Sequence, residues 1–201
     1  MKPTDHIRDI LDECQGMPPI NVQVAIMDVR RELDKIDAIV HNSTLDPVTG
    51  LPTRRVGNYM LERAATHFNR GEVLHRFVVL DVDDLKEAND MNGHAYGDAM
   101  LANLGAAMLT SVRPTDFVCR WGGDEFLLIL EFPFDLDSPV RSHEEGEIMR
   151  RIAAETFARF SWGSATLDEA GSDGIDDALG RADSDMYRMK NAKKRLKSSR
   201  R

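Results

Sequence analysis

The stretch DFVCRWGGDEFLLILEF, residues 116–132, decides the fold expected of this chain. Two runs rich in apolar residues flank Gly122 and Gly123, which is the pattern of two strands joined by a short turn. Five consecutive apolar residues follow Glu125, so the second strand is expected to be buried. Asp124 and Glu125 therefore stand at the mouth of a buried strand, where a carboxylate is costly unless it is solvated, paired or bound to a metal.

Apolar patterns outside this hairpin predict the other helices and strands. In chain order they are a helix over 54–68, a strand over 76–83, a helix around 100–109, a short helix over 147–156, a strand over 158–166 and a last helix from about Ile175. After the first helix the order is β-α-β-β-α-β-α, whose core is the split βαβ pattern of ferredoxin-like and palm folds in the α+β class. Residues 86–98 and 135–147 are predicted to be loops.

Composition excludes several classes of protein. The chain has 201 residues and a net charge of −8, which disfavours a general nucleic-acid binder, although residues 188–201 carry eight basic side chains and no acid. The first residues are too charged for a signal peptide, and no apolar run approaches the length of a membrane span. Cys14 and Cys119 have no metal-ligand spacing and suit a reducing compartment. We therefore expect a cytoplasmic protein with no membrane insertion.

A stripe of apolar residues precedes the predicted domain. Its members are Val22, Ile26, Val29, Leu33, Ile36 and Val40, which are spaced alternately by four and three residues. This heptad spacing favours a coiled-coil helix over residues 21–44 that pairs with a second copy of the chain. A single amphipathic helix packed on its own domain remains the alternative. The stripe is under three heptads, so alone it would form a weak dimer.

Acidic residues on two predicted strands are expected to meet. Asp81 and Asp83 alternate with apolar residues, so both project from one face of a strand end. In a split βαβ sheet that strand can lie beside the hairpin, which would bring Asp81 close to Asp124 and Glu125. Clustered carboxylates suit Mg²⁺, and the glycines of the turn would let the backbone approach a phosphate. A solvated acidic rim is the competing interpretation.

Five ordered motifs resemble the GGDEF domain of the diguanylate cyclase family. They are LDPVTGLPTRR at 45–55, DVDDLKEANDMNGHAYGD at 81–98, RWGGDEF at 120–126, FSWGSAT at 160–166 and RADSDMYRMK at 181–190. The resemblance covers about residues 45–195. It implies an enzyme that joins two GTP into cyclic di-GMP and releases two pyrophosphates. It also implies a homodimer in which each monomer supplies half of the site.

The resemblance also assigns catalytic and metal-binding roles. Asp81, the carbonyl oxygen of Val82 and Asp124 match metal ligands for two Mg²⁺ ions, with Mn²⁺ as an alternative. Asp124 and Glu125 match the catalytic pair, which would help to deprotonate the attacking 3′-hydroxyl.

Further positions match substrate contacts of the family. Asn89 and Asp98 match guanine-binding residues, and His94 lies in the same segment. The residues expected near phosphate are Lys86, Gly122, Gly123, Lys190 and Lys194. Lys194 stands where the family more often has an arginine, so the charge is kept but the bidentate fork is lost.

The segment RPTD, residues 113–116, resembles the inhibitory R-x-x-D site of the family. Arg113 would contact the guanine of bound cyclic di-GMP, and Asp116 would contact its opposite edge. An ordinary turn that ends a helix is the alternative, because proline, threonine and aspartate are common there.

The sequence thus predicts four segments and one leading function. The segments are a short extension over 1–20, the coiled-coil helix over 21–44, a GGDEF domain over 45–195 and a basic tail over 196–201. The leading function is a Mg²⁺-dependent, product-inhibited diguanylate cyclase. A catalytically silent GGDEF module that senses GTP or cyclic di-GMP is one alternative, and a signalling dimer without nucleotide turnover is another.

Overall fold

The computed structural model describes residues 44–71, 73–133, 140–167 and 174–198, together with Val29. Backbone contacts divide the chain into two compact units, residues 1–45 and 46–201. The coiled-coil helix predicted over 21–44 falls outside the described residues, apart from Val29 and Thr44. Val29 is helical and exposed. The dimerisation helix and the four segment boundaries therefore stay predictions.

Four strands form one antiparallel sheet in the order β2-β3-β1-β4. They are β1 Val73–Val82, β2 Phe117–Gly122, β3 Glu125–Pro133 and β4 Phe160–Thr166. The predicted hairpin is the β2–β3 pair, and the central strand β1 pairs with both β3 and β4. This is the strand order of a split βαβ sheet, so the α+β, ferredoxin-like prediction is confirmed.

The described ranges contain five helices. They are α1 Arg54–Asn69, α2 Leu85–Asn92, α3 His94–Ser111, α4 Val140–Glu155 and α5 Ile175–Ser198. Val78, Leu80 and Val82 of β1 face a core built with α3 and α4, whereas Phe77 and Val79 face a second core built with α1 and α5. None of the helices in the described ranges is long and apolar enough to cross a membrane.

The close approach of α5 to β4 depends on Gly163. A Cβ atom added at Gly163 would lie 2.2 Å from the carbonyl oxygen of Ala182 and 2.3 Å from the backbone nitrogen of Met186. No side chain fits in that space, so the helix backbone rests directly on the strand. The position of α5 over the sheet is thereby fixed.

Two of the predicted loops are wrong. Residues 86–98 form most of α2 and the start of α3, which meet at Gly93 with φ of 83°. No residue of α2 is buried, so this helix leaves no apolar periodicity in the sequence.

The start of α4 is the other error, since the helix begins at Val140 although 135–147 was expected to be a loop. Glu145 in its second turn is buried and binds Arg76 of β1 at 2.9 Å. This long-range ion pair attaches the polar start of α4 to the sheet.

Candidate active site

Three acidic residues lie at one end of the sheet, where β1 ends and β3 begins, and we call Asp81, Asp124 and Glu125 the acidic cluster. Asp81 of β1 is the cross-strand partner of Glu125 of β3. The N–H of Val82 donates to the carbonyl oxygen of Asp124 at 3.0 Å, which ties the turn to β1. The antiparallel register therefore brings together two acids that stand more than forty residues apart in the chain.

Burial and mutual repulsion raise the pKa values of two of these acids. Asp81 is only 8% exposed, and this burial raises its pKa. The hydrogen bond from Lys190 lowers that pKa, but the charges of Asp124 and Asp83 add to the effect of burial. Burial likewise raises the pKa of Glu125, and the charges of Asp81, Asp124 and Asp183 raise it further. The charge of Arg54 acts in the opposite direction on Glu125, but the pKa of Glu125 still ends above its ordinary value.

Three lysines of α5 bind the acidic segment at and after the end of β1. The ion pairs are Lys190–Asp81, Lys193–Asp83 at 2.9 Å and Lys197–Asp84 at 3.1 Å. Burial alone would lower the pKa of Lys190, but the bond to Asp81 raises it above its ordinary value. The hydroxyl of Ser161 on β4 also donates to Asp83 at 2.7 Å. The segment is therefore held from two sides, by the helix and by the edge strand.

The cluster suits a divalent cation whose coordination is completed by water and by a bound ligand. In the described part of the chain, no group of three or more acidic, histidine or cysteine side chains is arranged to hold a metal ion by itself. Mg²⁺ is usually held by only one or two carboxylates, with water and substrate phosphates supplying its other ligands. Asp81, Asp124 and the Val82 carbonyl offer oxygen ligands, and the repulsion between the charges of Asp81 and Asp124 favours a cation there. The residues present fit such an ion.

An arginine braces the glycine turn. Nε and Nη2 of Arg120 donate to the carbonyl oxygen of Gly123 at 3.1 and 2.6 Å. Nη1 of the same guanidinium donates to both carboxylate oxygens of Asp46 at 2.9 Å. Asp46 also accepts from the backbone N–H and the hydroxyl of Thr49, each at 2.8 Å. We call this arrangement of Asp46, Thr49 and Arg120 the clamp.

Sequence reasoning missed the clamp, although Asp46 and Arg120 both lie in motifs quoted above. The two residues are 74 positions apart, and nothing in either motif indicates that they touch. The clamp leaves Gly123 exposed, and a Cβ added there would meet nothing within 4 Å. A ligand therefore has open access to the backbone of the turn.

The expected guanine- and phosphate-binding residues lie around α2, the start of α3 and the end of α5. Oδ1 of Asn89 is buried without a hydrogen-bond partner among the described residues. Gly97 makes room for it, because an added Cβ would lie 1.9 Å from that oxygen. The remaining candidates are exposed, namely Lys86, His94, Asp98 and Lys194. Of this group only Asn89 offers a buried, unused polar atom.

The expected inhibitory residues form the turn between α3 and β2. One carboxylate oxygen of Asp116 accepts the Arg113 N–H at 2.8 Å, and the other accepts the Glu131 N–H at 2.9 Å. The guanidinium of Arg113 is half-exposed and pairs with Glu144 of α4 at 3.2 Å. Asp116 thus fixes the turn, whereas the Arg113 side chain extends from it toward α4.

A split βαβ sheet with acids at the end of β1 and in the β2–β3 turn is the arrangement of a nucleotidyl-cyclase-type domain. The profile of the family described as "Diguanylate cyclase, GGDEF domain" matches residues 43–196. The chain belongs to the GGDEF family.

Curated relatives and solved structures agree with this membership. The chain is 27% identical to diguanylate cyclase DgcM of Escherichia coli over 167 residues, covering 83% of this chain and 40% of DgcM. It is 34% identical to diguanylate cyclase DgcP of Pseudomonas aeruginosa over 160 residues, covering 73% of this chain and 22% of DgcP. The chain thus spans less than half the length of these two relatives.

Among solved structures, the GGDEF domain of DgcB from Caulobacter crescentus in complex with c-di-GMP superposes with a TM-score of 0.64. The two are 26% identical, and the match covers 75% of this chain and 92% of that one.

Proposed function

We propose that this protein is a diguanylate cyclase, which condenses two GTP into cyclic di-GMP and releases two pyrophosphates. One observation carries the proposal: Asp81, Asp124 and Glu125 share one end of the sheet, beside a glycine turn that is open to a ligand. Membership of the GGDEF family and similarity to two curated diguanylate cyclases support the same activity.

Asp81, Asp124 and the carbonyl oxygen of Val82 would hold Mg²⁺, with Mn²⁺ as an alternative. When bound, two such ions neutralise the triphosphate and lower the pKa of the attacking 3′-hydroxyl. Asp81 and Asp124 suit this task because their charges repel each other in a partly buried site. A cation would relieve that repulsion.

Of the two carboxylates in the catalytic pair, Glu125 would accept the proton of the 3′-hydroxyl. Burial and the charges of Asp81 and Asp124 raise its pKa, which makes it a stronger base than an ordinary glutamate. The 3′-oxygen of one GTP then bonds to the α-phosphorus of the other, and pyrophosphate leaves. Lys190 and Lys194 on α5, Lys86 on α2 and the backbone of Gly122 and Gly123 would contact the phosphates.

Asn89 and Asp98 would select guanine. The buried Oδ1 of Asn89 has no partner within the described ranges, so a base N–H that reaches it would satisfy an otherwise costly acceptor. The carboxylate of Asp98 would accept from the other N–H groups of the guanine edge, and His94 would help to position the nucleotide. Adenine offers no donors at those positions, so its binding would leave these acceptors unpaired.

The activity requires two copies of the chain, since each copy would bind one GTP and supply half of the site. We propose that the heptad helix over 21–44 forms this homodimer. Aspartate substitutions at Val29 and Leu33 would place charges in the helix–helix seam. We expect a monomer by light scattering and at least a tenfold loss of activity, with thermal melting of the catalytic domain unchanged. A monomeric variant with full activity would contradict the dimer.

The direct test of the function is incubation of the purified protein with GTP and Mg²⁺, with the nucleotides resolved by chromatography. We expect cyclic di-GMP from the wild type and at least a hundredfold less from the double variant Asp124→Ala, Glu125→Ala. A melting curve of that variant shows whether it is folded. A wild-type dimer that makes no product but binds cyclic di-GMP would instead be a sensor.

Arg113 and Asp116 would form a product site that inhibits the enzyme. The exposed guanidinium of Arg113 and the position of the turn directly before β2 support this assignment. Arg113→Ala is the informative substitution, because Asp116 also holds the backbone of the turn.

A further inference from the structure

We infer that Glu144 competes with cyclic di-GMP for Arg113, so that the protein carries an internal block on its own product site. The inference rests on the product site proposed above and concerns how strongly that site responds. It assigns a regulatory task to α4, a helix that contributes no residue to the proposed active site.

The contact itself is accessible to a competing ligand. Nη2 of Arg113 lies 3.2 Å from Oε2 of Glu144, and the two side chains are 51% and 32% exposed. An ion pair this exposed is weak, since water screens the two charges and holding two long side chains together costs entropy. It can therefore open when a ligand offers the guanidinium a better partner.

A buried ion pair holds Glu144 in place. The next residue, Glu145, is 3% exposed and accepts from Nη1 of Arg76 on β1 at 2.9 Å. The same Arg76 nitrogen also lies 3.4 Å from the hydroxyl of Ser164 on β4. Because Glu145 is anchored to the sheet, this turn of α4 is attached and Glu144 is held beside Arg113. The block is thus built into the fold rather than carried by a free chain end.

The chemistry of cyclic di-GMP prevents it from binding Arg113 while Glu144 does. Cyclic di-GMP carries two phosphodiester charges, and its guanine offers acceptor atoms to a guanidinium fork. Arg113 cannot present the same N–H groups to Glu144 and to that ligand. The carboxylate of Glu144 also repels the phosphodiesters. Removing its charge should therefore strengthen product binding for two reasons.

The test compares two substitutions that remove the same charge from the same helix. In Glu144→Gln the charge that pairs with Arg113 is lost. In Glu147→Gln the partner is Arg150, three residues along α4 and on the surface. Calorimetric titration with cyclic di-GMP should give about two- to fivefold tighter binding for Glu144→Gln and unchanged binding for Glu147→Gln.

Three further measurements exclude a general effect of charge. The gain from Glu144→Gln should shrink when salt is raised from about 0.05 M to about 1 M, because screening weakens both the ion pair and the repulsion. It should be much smaller in an Arg113→Ala background, where only the repulsion between Glu144 and the phosphodiesters is left to remove. The initial rate of product formation, measured before product accumulates, should be equal in wild type and Glu144→Gln.

The possible results separate this inference from the proposed product site. Tighter, Arg113-dependent binding in Glu144→Gln alone supports the inference. If the wild type binds cyclic di-GMP through Arg113 but Glu144→Gln binds no more tightly than Glu147→Gln, the inference is wrong and the product site stands. If Arg113→Ala binds as the wild type does, or no variant binds, the product site is wrong and the inference falls with it.

Discussion

The pKa of the carboxylate in the clamp and the pKa values of the carboxylates in the acidic cluster are shifted in opposite directions. Burial raises the pKa of Asp46, but bonds from the side chain and backbone of Thr49 and from Arg120 outweigh burial and leave that pKa below its ordinary value. Asp81 and Glu125 are also partly buried, yet their pKa values end above the ordinary range because acidic neighbours add to burial.

This difference separates an acid with structural partners from the acids that the proposed function would use. The clamp satisfies both oxygens of Asp46 and contributes stability by holding the glycine turn. The cluster keeps charges close together that the fold alone would be more stable without. Such a repulsion persists where a ligand that binds the site can relieve it, which is what the proposed cation and triphosphate would do.

The largest effect expected is the loss of the clamp in Arg120→Ala. Asp46 is then left partly buried without its cation, and the carbonyl of Gly123 loses two donors. We expect the free energy of unfolding to fall by about 2–3 kcal/mol, which lowers Tm by roughly 5–10 °C. Activity should fall at least tenfold, because the turn that carries Asp124 is no longer held.

Arg120→Lys is the matched control, since it keeps the charge but not the fork. It should recover part of the stability and little of the activity.

The folded-state pKa of Asp46 lies below 3.8, so the contribution of Asp46 to stability is present above that value. This contribution is lost as pH falls through the folded pKa. If Arg120→Ala melts like the wild type at pH 7.5, the clamp does not contribute stability.

A smaller effect is expected when the cluster loses its lysine in Lys190→Ala. Asp81 then loses its ion pair with Lys190. We expect Tm to fall by about 2–5 °C in the absence of divalent ions. Addition of Mg²⁺ should restore part of that loss, because the ion can take the place of the lysine charge. The same addition should not rescue Arg120→Ala. Equal responses of both variants to Mg²⁺ in melting experiments would remove the distinction drawn above.

The smallest effect expected is a gain in stability from Glu125→Gln. The folded pKa of Glu125 lies above its ordinary 4.5, so the ionised side chain costs the folded state free energy at neutral pH. The glutamine lacks this cost, and Tm should rise by about 1–3 °C at pH 7.5 while activity is lost. The gain should fade as pH falls through the folded pKa. A Tm that falls at pH 7.5 would show that Glu125 is stabilising.

Strands and hairpin could be predicted because their apolar runs directly reflect burial on both faces of the sheet. The residue pattern also placed Asp81 near Asp124 and Glu125, since strand order and register follow from the split βαβ arrangement. What could not be predicted depends on particular side chains meeting across the fold. Helix α2 has no buried residue, so nothing in its composition distinguishes it from a polar loop.

Glu144 and Glu145 also show what the sequence cannot predict, because they are neighbours with the same side chain and different surroundings. Both are acids in a polar run, and only the packing of α4 decides which of them is buried. Glu145 meets Arg76 beneath the helix, whereas Glu144 meets Arg113 at the surface. The Arg120–Asp46 contact spans 74 residues and is equally invisible to local pattern.

The contact between Gly163 and α5 has a consequence for the lysine at the active end. The carbonyl of Ala182 lies two turns of α5 before Lys190, and it occupies the space that any side chain at Gly163 would need. A methyl group there would force the helix outward by roughly 1 Å, because packed interiors have no slack to absorb it. The ion pair between the Lys190 ammonium group and Asp81 would then be lengthened and weakened. The absence of a side chain at Gly163 thus allows Lys190 to reach Asp81.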